Sequence, residues 1–359
     1  MMKSFVRAAG FTAYFLITLE MIFMVTPFAL YYYSAYAPFL SGASRVPGLA
    51  WLPAFFLPHL STDIVPSVGG LILLVGIGGF FVGALQIYYA KFRKRGVVAS
   101  GLYKRVRHPQ YFFLGVAGLG LLIVWPRFIL LIIYVNMLWF YYLLARSEEE
   151  QMRSRQGDAY LEPMRRAPMF KPGEPGGHLA HLLFGWISNR KLRLSVIYCV
   201  SLAVALGGGF AFRELSLRST THLTLADEKI AAVSLMRSAQ TQPQLRELAE
   251  LARRDRDVQD RLNRQDGWML MQAAEGKASA THIMIDAGMT RGQAKSLPIS
   301  GRGIELVFLQ RKDKNGNHPF EAGARWQPVF IAEVNGKKVS HVVDLPESLF
   351  RGNPLMPIF

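Results

Sequence analysis

Cysteine is almost absent: Cys199 is the only one in 359 residues, and it lies inside an apolar run. A disulfide framework within the chain is therefore excluded, as is a cysteine-based metal site, and no other metal site is read from the sequence. The thiol reads as a small buried apolar residue. Charge is scarce too. Asp, Glu, Lys and Arg make up 18% of the chain against 51% hydrophobic residues. The apolar residues come in long blocks, a profile that excludes an ordinary soluble protein. Acidic residues are the scarcer sign, 25 against 41 Lys and Arg, for a net charge of +16. That excess does not imply a nucleic-acid partner. No nucleic-acid-binding motif is present, and the basic residues cluster beside apolar blocks, where the positive-inside bias accounts for them. A dinucleotide-binding G-x-G-x-x-G is also missing; the glycines of residues 69–83 lie within an apolar span with no strand before them.

What is present is a series of apolar spans. Lys3 and Arg7 precede a stretch from about Gly10 to Leu40 that contains Glu20. It is too long for a signal-peptide core and reads as a retained first helix over residues 10–36, kinked at Pro27. Residues 37–64 read as a loop, and 66–90 as a second span whose glycines suit close helix approach. Residues 111–125 and 128–145 read as the arms of a hairpin, and 194–212 as a fifth span. The first arm covers only about 22 Å of a roughly 30 Å apolar core. Lys91, Arg93, Lys94 and Arg95, then Arg153, Arg155, Arg165, Arg166, Lys171, Arg190 and Lys191, mark the cytoplasmic side.

Residues 213–359 are different. They carry 21 Lys/Arg and 17 Asp/Glu, near balance, against 20 and 8 in residues 1–212. Residues 225–239 and 243–264 read as helices. Ile304–Leu309 and Val329–Val334 read as strands, and Asn335-Gly336 as a type I′ hairpin turn. No catalytic motif appears here, and His282, His318 and His341 are scattered. The expected fold is an α-helical integral membrane protein with about five transmembrane helices and a C-terminal soluble α+β domain. Its parts are a membrane core (1–172), a cytoplasmic linker (173–192), a fifth helix (193–212) and an extracytoplasmic α+β domain (213–359).

The chemistry-bearing residues gather at the feet of the hairpin. Gly101, Tyr103, Arg107, His108, Pro109 and Tyr111 precede it; Glu148, Glu149, Gly157, Tyr160, Arg166 and Pro168 follow. Both feet must lie on one membrane face. The hairpin thus brings His108 and Tyr111 near Glu148 and Glu149, some forty residues away. These two half-motifs, G-x-Y-x-x-x-R-H-P-x-Y and E-E-x-x-M…G-x-x-Y…R-x-P around a transmembrane hairpin, resemble the isoprenylcysteine carboxyl methyltransferase family and its wider group of phospholipid methyltransferases. The resemblance covers roughly residues 65–172.

The resemblance implies a membrane methyltransferase using S-adenosylmethionine on a membrane lipid or prenylated acceptor. It implies that Tyr103, Arg107, His108, Tyr111 and Glu149 bind the cofactor. Glu148, Glu149 and Arg166 would act at the reacting groups. The glutamates would engage the cofactor's amino group or ribose, or orient the acceptor. Arg107 and Arg166 would hold a carboxylate of cofactor or substrate. The chain is expected in a bacterial inner membrane, with the site on the cytoplasmic face and residues 213–359 opposite, free to meet a protein partner. At Phe113 the family usually has a small residue. A ring that filled the cofactor's space would instead leave a catalytically inactive scaffold or accessory subunit.

Overall fold

The computed structural model describes residues 22, 24–43, 46–57, 64–93, 98, 100–156, 167–170, 174–175, 177–225, 229–234, 236, 241–286, 289–312, 319–322 and 324–350. Among the described residues, helices with both ends in view before the sheet are α1 (Tyr33–Ala43), α2 (Ile64–Phe92), α3 (Pro109–Val124), α4 (Phe128–Gln156), α5 (His178–Phe184) and α6 (Arg190–Ser219). Among the described residues three segments are long and apolar enough to cross a membrane: Val65–Phe92, Phe128–Ser154 and Arg190–Ser219. These coincide with the second, fourth and fifth expected spans; α3, at the third, is apolar but shorter. Most of the first expected span, Glu20 included, lies outside the described residues. Near its end the chain runs as a 3₁₀ helix over Thr26–Tyr31 with Pro27 in its first turn, then becomes extended at Tyr32. Residues 33–43 form α1 rather than a loop. Pro38 removes one hydrogen bond there without ending the helix.

Two units are distinguished. The first comprises residues 1–39, 67–125 and 129–207; the second comprises 40–66, 126–128 and 208–359. In the first, α2 and α3 press together along a seam of small residues. A Cβ on Gly76 would run into the Ala117 backbone, and one on Gly79 into the Phe113 ring. Such close approach is how helices attract in lipid, where no hydrophobic effect drives them together. Trp139 of α4 donates to Ser201 of α6 (3.0 Å), and Tyr198 donates to Asn136 (3.0 Å), so polar groups between these spans are satisfied. Half of the apolar window of α4 is buried, but only 6% of that of α6. Cys199 is accordingly exposed on α6 rather than buried.

The second unit holds a six-stranded sheet in the order β1-β2-β3-β4-β5-β6, formed by His222–Leu225, Ile230–Ser234, Met269–Glu275, Ile304–Arg311, Trp326–Asn335 and Lys338–Asp344. Every pairing is antiparallel except β2 with β3. That parallel step needs a crossover, supplied by α7 (Gln242–Arg254) and α8 (Arg256–Leu262). Asp255 ends α7 and caps α8, accepting from the amides of Asp257 and Val258 (3.0 and 3.2 Å). One sheet face packs Leu245, Ala249 and Val258 of these helices against Met271, Phe308 and Phe330. The other packs α9 (Gly276–Asp286) and α10 (Arg291–Ser296) through Ile283, Met284 and Ala294 against Leu270, Val307 and Ile331. Burial on both faces leaves β2 without the alternation of a half-exposed strand.

Two expectations are corrected here. The helix expected at 225–239 is not found in its described part: Leu225 ends β1, Lys229 stands at φ 52, and Ile230–Ser234 form β2. Pairing with β3 overrides the helix-forming composition of that stretch. The β5–β6 turn is not type I′, which needs positive φ at both central residues. Asn335 pairs with Lys338, and only Gly336 (φ 64) of the tip is left-handed.

Polar groups interrupt the second face. Glu305 and Glu333 lie opposite each other across β4 and β5, and both are buried. Ser300 donates to Glu333 through its N–H (3.0 Å) and its hydroxyl, and Asn335 through its amide (3.4 Å). Burial works against ionisation of Glu333, yet these donors hold its carboxyl below the usual range. Among the described residues Glu305 has no side-chain donor; both its carboxyl oxygens are buried, and only the backbone N–H groups of Glu305 and Gly276 favour its charge. Burial, with the neighbouring charge of Glu333, pushes its pKa up to about 7.

Candidate functional site

The first unit alone builds the candidate site. Before the hairpin, a 3₁₀ turn over Gly101–Lys104 leads into Arg107-His108, and Pro109 opens α3. Proline fits that position because its missing N–H would be unpaired in a first turn anyway. The Arg107 N–H donates to the Pro168 carbonyl (3.0 Å), tying the two feet together. On the other side α4 does not stop at the membrane edge. It continues through Arg146–Gln156, a run of good helix formers, so Glu148 and Glu149 ride on a regular helix.

The two feet meet in one ionic cluster. Glu149 is 6% exposed and His108 9%. His108 Nε2 lies 3.2 Å from Glu149 Oε1, and its Nδ1 lies 3.4 Å from Glu148 Oε2. Arg107 Nε lies 2.9 Å from Glu149 Oε1, and the Tyr111 hydroxyl donates to Glu148. Burial disfavours a charged imidazole at His108, but hydrogen bonds and charge from both glutamates outweigh it and raise its pKa. The His108 ring stacks at 5.8 Å on Tyr111, which stacks in turn on Tyr141 at 5.3 Å.

Beside this cluster, between α3 and α4, lies an apolar cavity of about 370 Å³. Tyr111, Tyr134, Trp139 and Tyr142 line it, with Phe170 and Pro175 from the segment that follows. Its size is in the range of about 300–1,000 Å³ usual for small-molecule sites. Phe113 is not among its walls. The ring turns to α2, into the space left open by Gly79.

Of the residues singled out in the sequence, Arg107, His108, Tyr111, Glu148 and Glu149 come together. Tyr103 points its hydroxyl at the Gly83 carbonyl of α2 (3.4 Å) instead. Arg166 lies outside the described residues, as do Gly157 and Tyr160. Sequence reasoning missed Glu174, whose carboxylate meets Arg107 Nη2 at 3.3 Å. Its signal was slight: one acidic residue in a basic, Pro/Gly-rich linker. It also missed the ring-lined cavity, whose aromatics read as ordinary span residues.

The class of molecule is now defined: a helical integral membrane protein with a polar site at the foot of an apolar hairpin, and a separate sheet-bearing unit. Residues 64–154, about a quarter of the chain, match the isoprenylcysteine carboxyl methyltransferase (ICMT) family. This stretch, which holds all five clustered residues, is therefore similar to a family of membrane methyltransferases. No curated protein and no solved structure matches the chain.

Proposed function

We propose that this protein is an S-adenosylmethionine-dependent integral membrane methyltransferase acting on a lipid-like or prenylated acceptor. The observation that carries the reading is the ionic cluster at the edge of a ring-lined apolar cavity. Such a site suits a zwitterionic, ribose-bearing donor next to an apolar acceptor. With His108 protonated, the clustered groups are two cations (Arg107, His108) and three carboxylates (Glu148, Glu149, Glu174). They match a ligand carrying ammonium and carboxylate groups, and their net negative charge favours a cationic donor.

In this reading Arg107 and His108 hold the cofactor's carboxylate, Glu149 its amino group, and the Tyr111–Tyr141 stack offers a face for its base. S-adenosylmethionine supplies a methyl group already activated on a sulfonium, so the protein's task is alignment and exclusion of water. A carboxylate acceptor needs no base. For an amine or thiol acceptor, Glu148 is the base, since its side chain is 43% exposed and faces both His108 and Tyr111. Tyr103 and Arg166 enter by family resemblance alone. With Phe113 turned to Gly79, the inactive-scaffold reading loses the feature that favoured it. The site is assigned to the cytoplasmic face of a bacterial inner membrane, and residues 213–359 to the opposite side.

The test is calorimetric binding of S-adenosylhomocysteine to the purified protein in detergent. His108→Ala and Glu149→Gln should each weaken binding about ten- to a hundredfold, the worth of one charge-assisted hydrogen bond. Because both touch one ligand, the double variant should lose less than the sum. Phe113→Gly should change little. If the wild type does not bind, the methyltransferase reading fails.

A further inference from the structure

The linker outside the matched stretch builds a second pocket. Its volume is about 290 Å³, and Pro175, Gly177, His178, Ala180, His181 and Arg193 line it. Every ionisable group on this wall is basic. His178 and His181 stand one turn apart on α5, and Arg193 faces them from the start of α6. Among the described residues Arg193 makes no ion pair. The acidic neighbour, Glu174, is held by Arg107 instead.

This pocket adjoins the ring-lined cavity. Pro175 is a wall of both. Tyr142, another wall of the apolar cavity, lies within electrostatic range of Arg193. Leu194, next in sequence, packs against the cluster that contains Tyr111, Tyr141 and Tyr142. An apolar slot and a pocket lined by one arginine and two imidazoles thus share an edge, which is the complement of an amphiphile with an anionic head.

We infer that His178, His181 and Arg193 form a head-group site for a phosphate-bearing lipid whose chain lies in the ring-lined cavity. Arg193 contributes the planar fork that suits phosphate oxygens, and the imidazoles add donors on the facing helix. The inference rests on the proposed function only in taking that lipid to be the methyl acceptor; the head-group site itself requires no cofactor.

Binding of tetradecyl phosphate to the full chain in an uncharged detergent tests it, followed by tryptophan fluorescence, since Trp139 lines the cavity. Tetradecanol is the neutral control, and inorganic phosphate is the competitor. Tetradecyl phosphate should bind at least about tenfold tighter than tetradecanol, as expected for a charge-assisted contact. Arg193→Gln, and the pair His178→Ala with His181→Ala, should remove that advantage while tetradecanol binding stays unchanged. Arg193→Lys should retain most of it. Equal affinities for the two amphiphiles, or variants that bind the phosphate as well as wild type, would overturn the inference. So would inorganic phosphate competing as strongly as the amphiphile, which would make this a free-phosphate site. Failure of the methyltransferase reading is seen separately, as lost S-adenosylhomocysteine binding.

Discussion

Replacing Glu305 by Gln should make the sheet more stable in mild alkali, and the size of the effect follows from its surroundings. The carboxyl is buried and opposite Glu333, which together outweigh the backbone N–H groups of Glu305 and Gly276, so its pKa moves from an ordinary 4.5 to about 7. Between those values the unfolded chain releases the proton while the folded chain keeps it. The folded state then binds more protons, so stability must fall as pH rises through that window. The full loss for such a displacement is about 3 kcal/mol, of which about 2–3 kcal/mol falls between pH 5 and pH 8. Glu333 does not confuse the result. Its pKa is lowered, so its contribution is lost only as pH falls below the usual carboxylate range. Hydrogen exchange of β4 and β5 peptides in the full chain, corrected for intrinsic rates, reads the opening free energy directly. Wild-type protection should drop roughly fifty- to a hundredfold from pH 5 to pH 8, and Glu305→Gln should remove that drop. Parallel pH dependences in the two proteins would refute the argument that burial, not a hidden partner, governs Glu305.

Other outcomes are equally specific. Gly79→Leu should drive a side chain into Phe113 and lower the thermal midpoint in detergent, while Gly70→Ala, with open space around it, should not. The raised pKa of His108 means that its charge stabilises the fold fully below the ordinary histidine range and loses that effect as pH rises through the folded value. Melting curves of His108→Gln should therefore converge with wild type at alkaline pH and fall below it near neutrality. In a Cys199→Ala background, an impermeant thiol reagent added outside should label Ser219→Cys and spare Ser154→Cys; the opposite pattern would reverse the proposed topology.

Much of the site's architecture was legible because it depends on short-range rules. A hairpin must return to the face it left, so Arg107-His108 and Glu148-Glu149 had to be neighbours. The β4–β6 strands announced themselves through β-branched runs and an Asn-Gly tip. β1 to β3 did not. Ile230–Ser234 and Met269–Glu275 are rich in Ala, Met, Gln and Glu, which favour helix in isolation. They become strands by parallel pairing across a helical crossover, a contact no local window contains. The Glu174–Arg107 pair was hidden for the same reason, since 67 residues separate its partners. Phe113 shows the converse. Its substitution is visible in sequence, but the seating of its ring against Gly79, one helix away, is not.

The unbroken course of α4 carries a last consequence. Its apolar stretch from Phe128 to Ala145 measures about 27 Å, close to the thickness of a bilayer's hydrocarbon layer, and the two glutamates follow within the next turn. No joint separates the part of the helix that lipid must solvate from the part that holds the carboxylates. A bilayer of different thickness that tilted or shifted this rod would carry Glu148 and Glu149 with it. Binding of S-adenosylhomocysteine compared in bilayers of short- and long-chain lipid would show whether this helix serves as a gauge of membrane thickness.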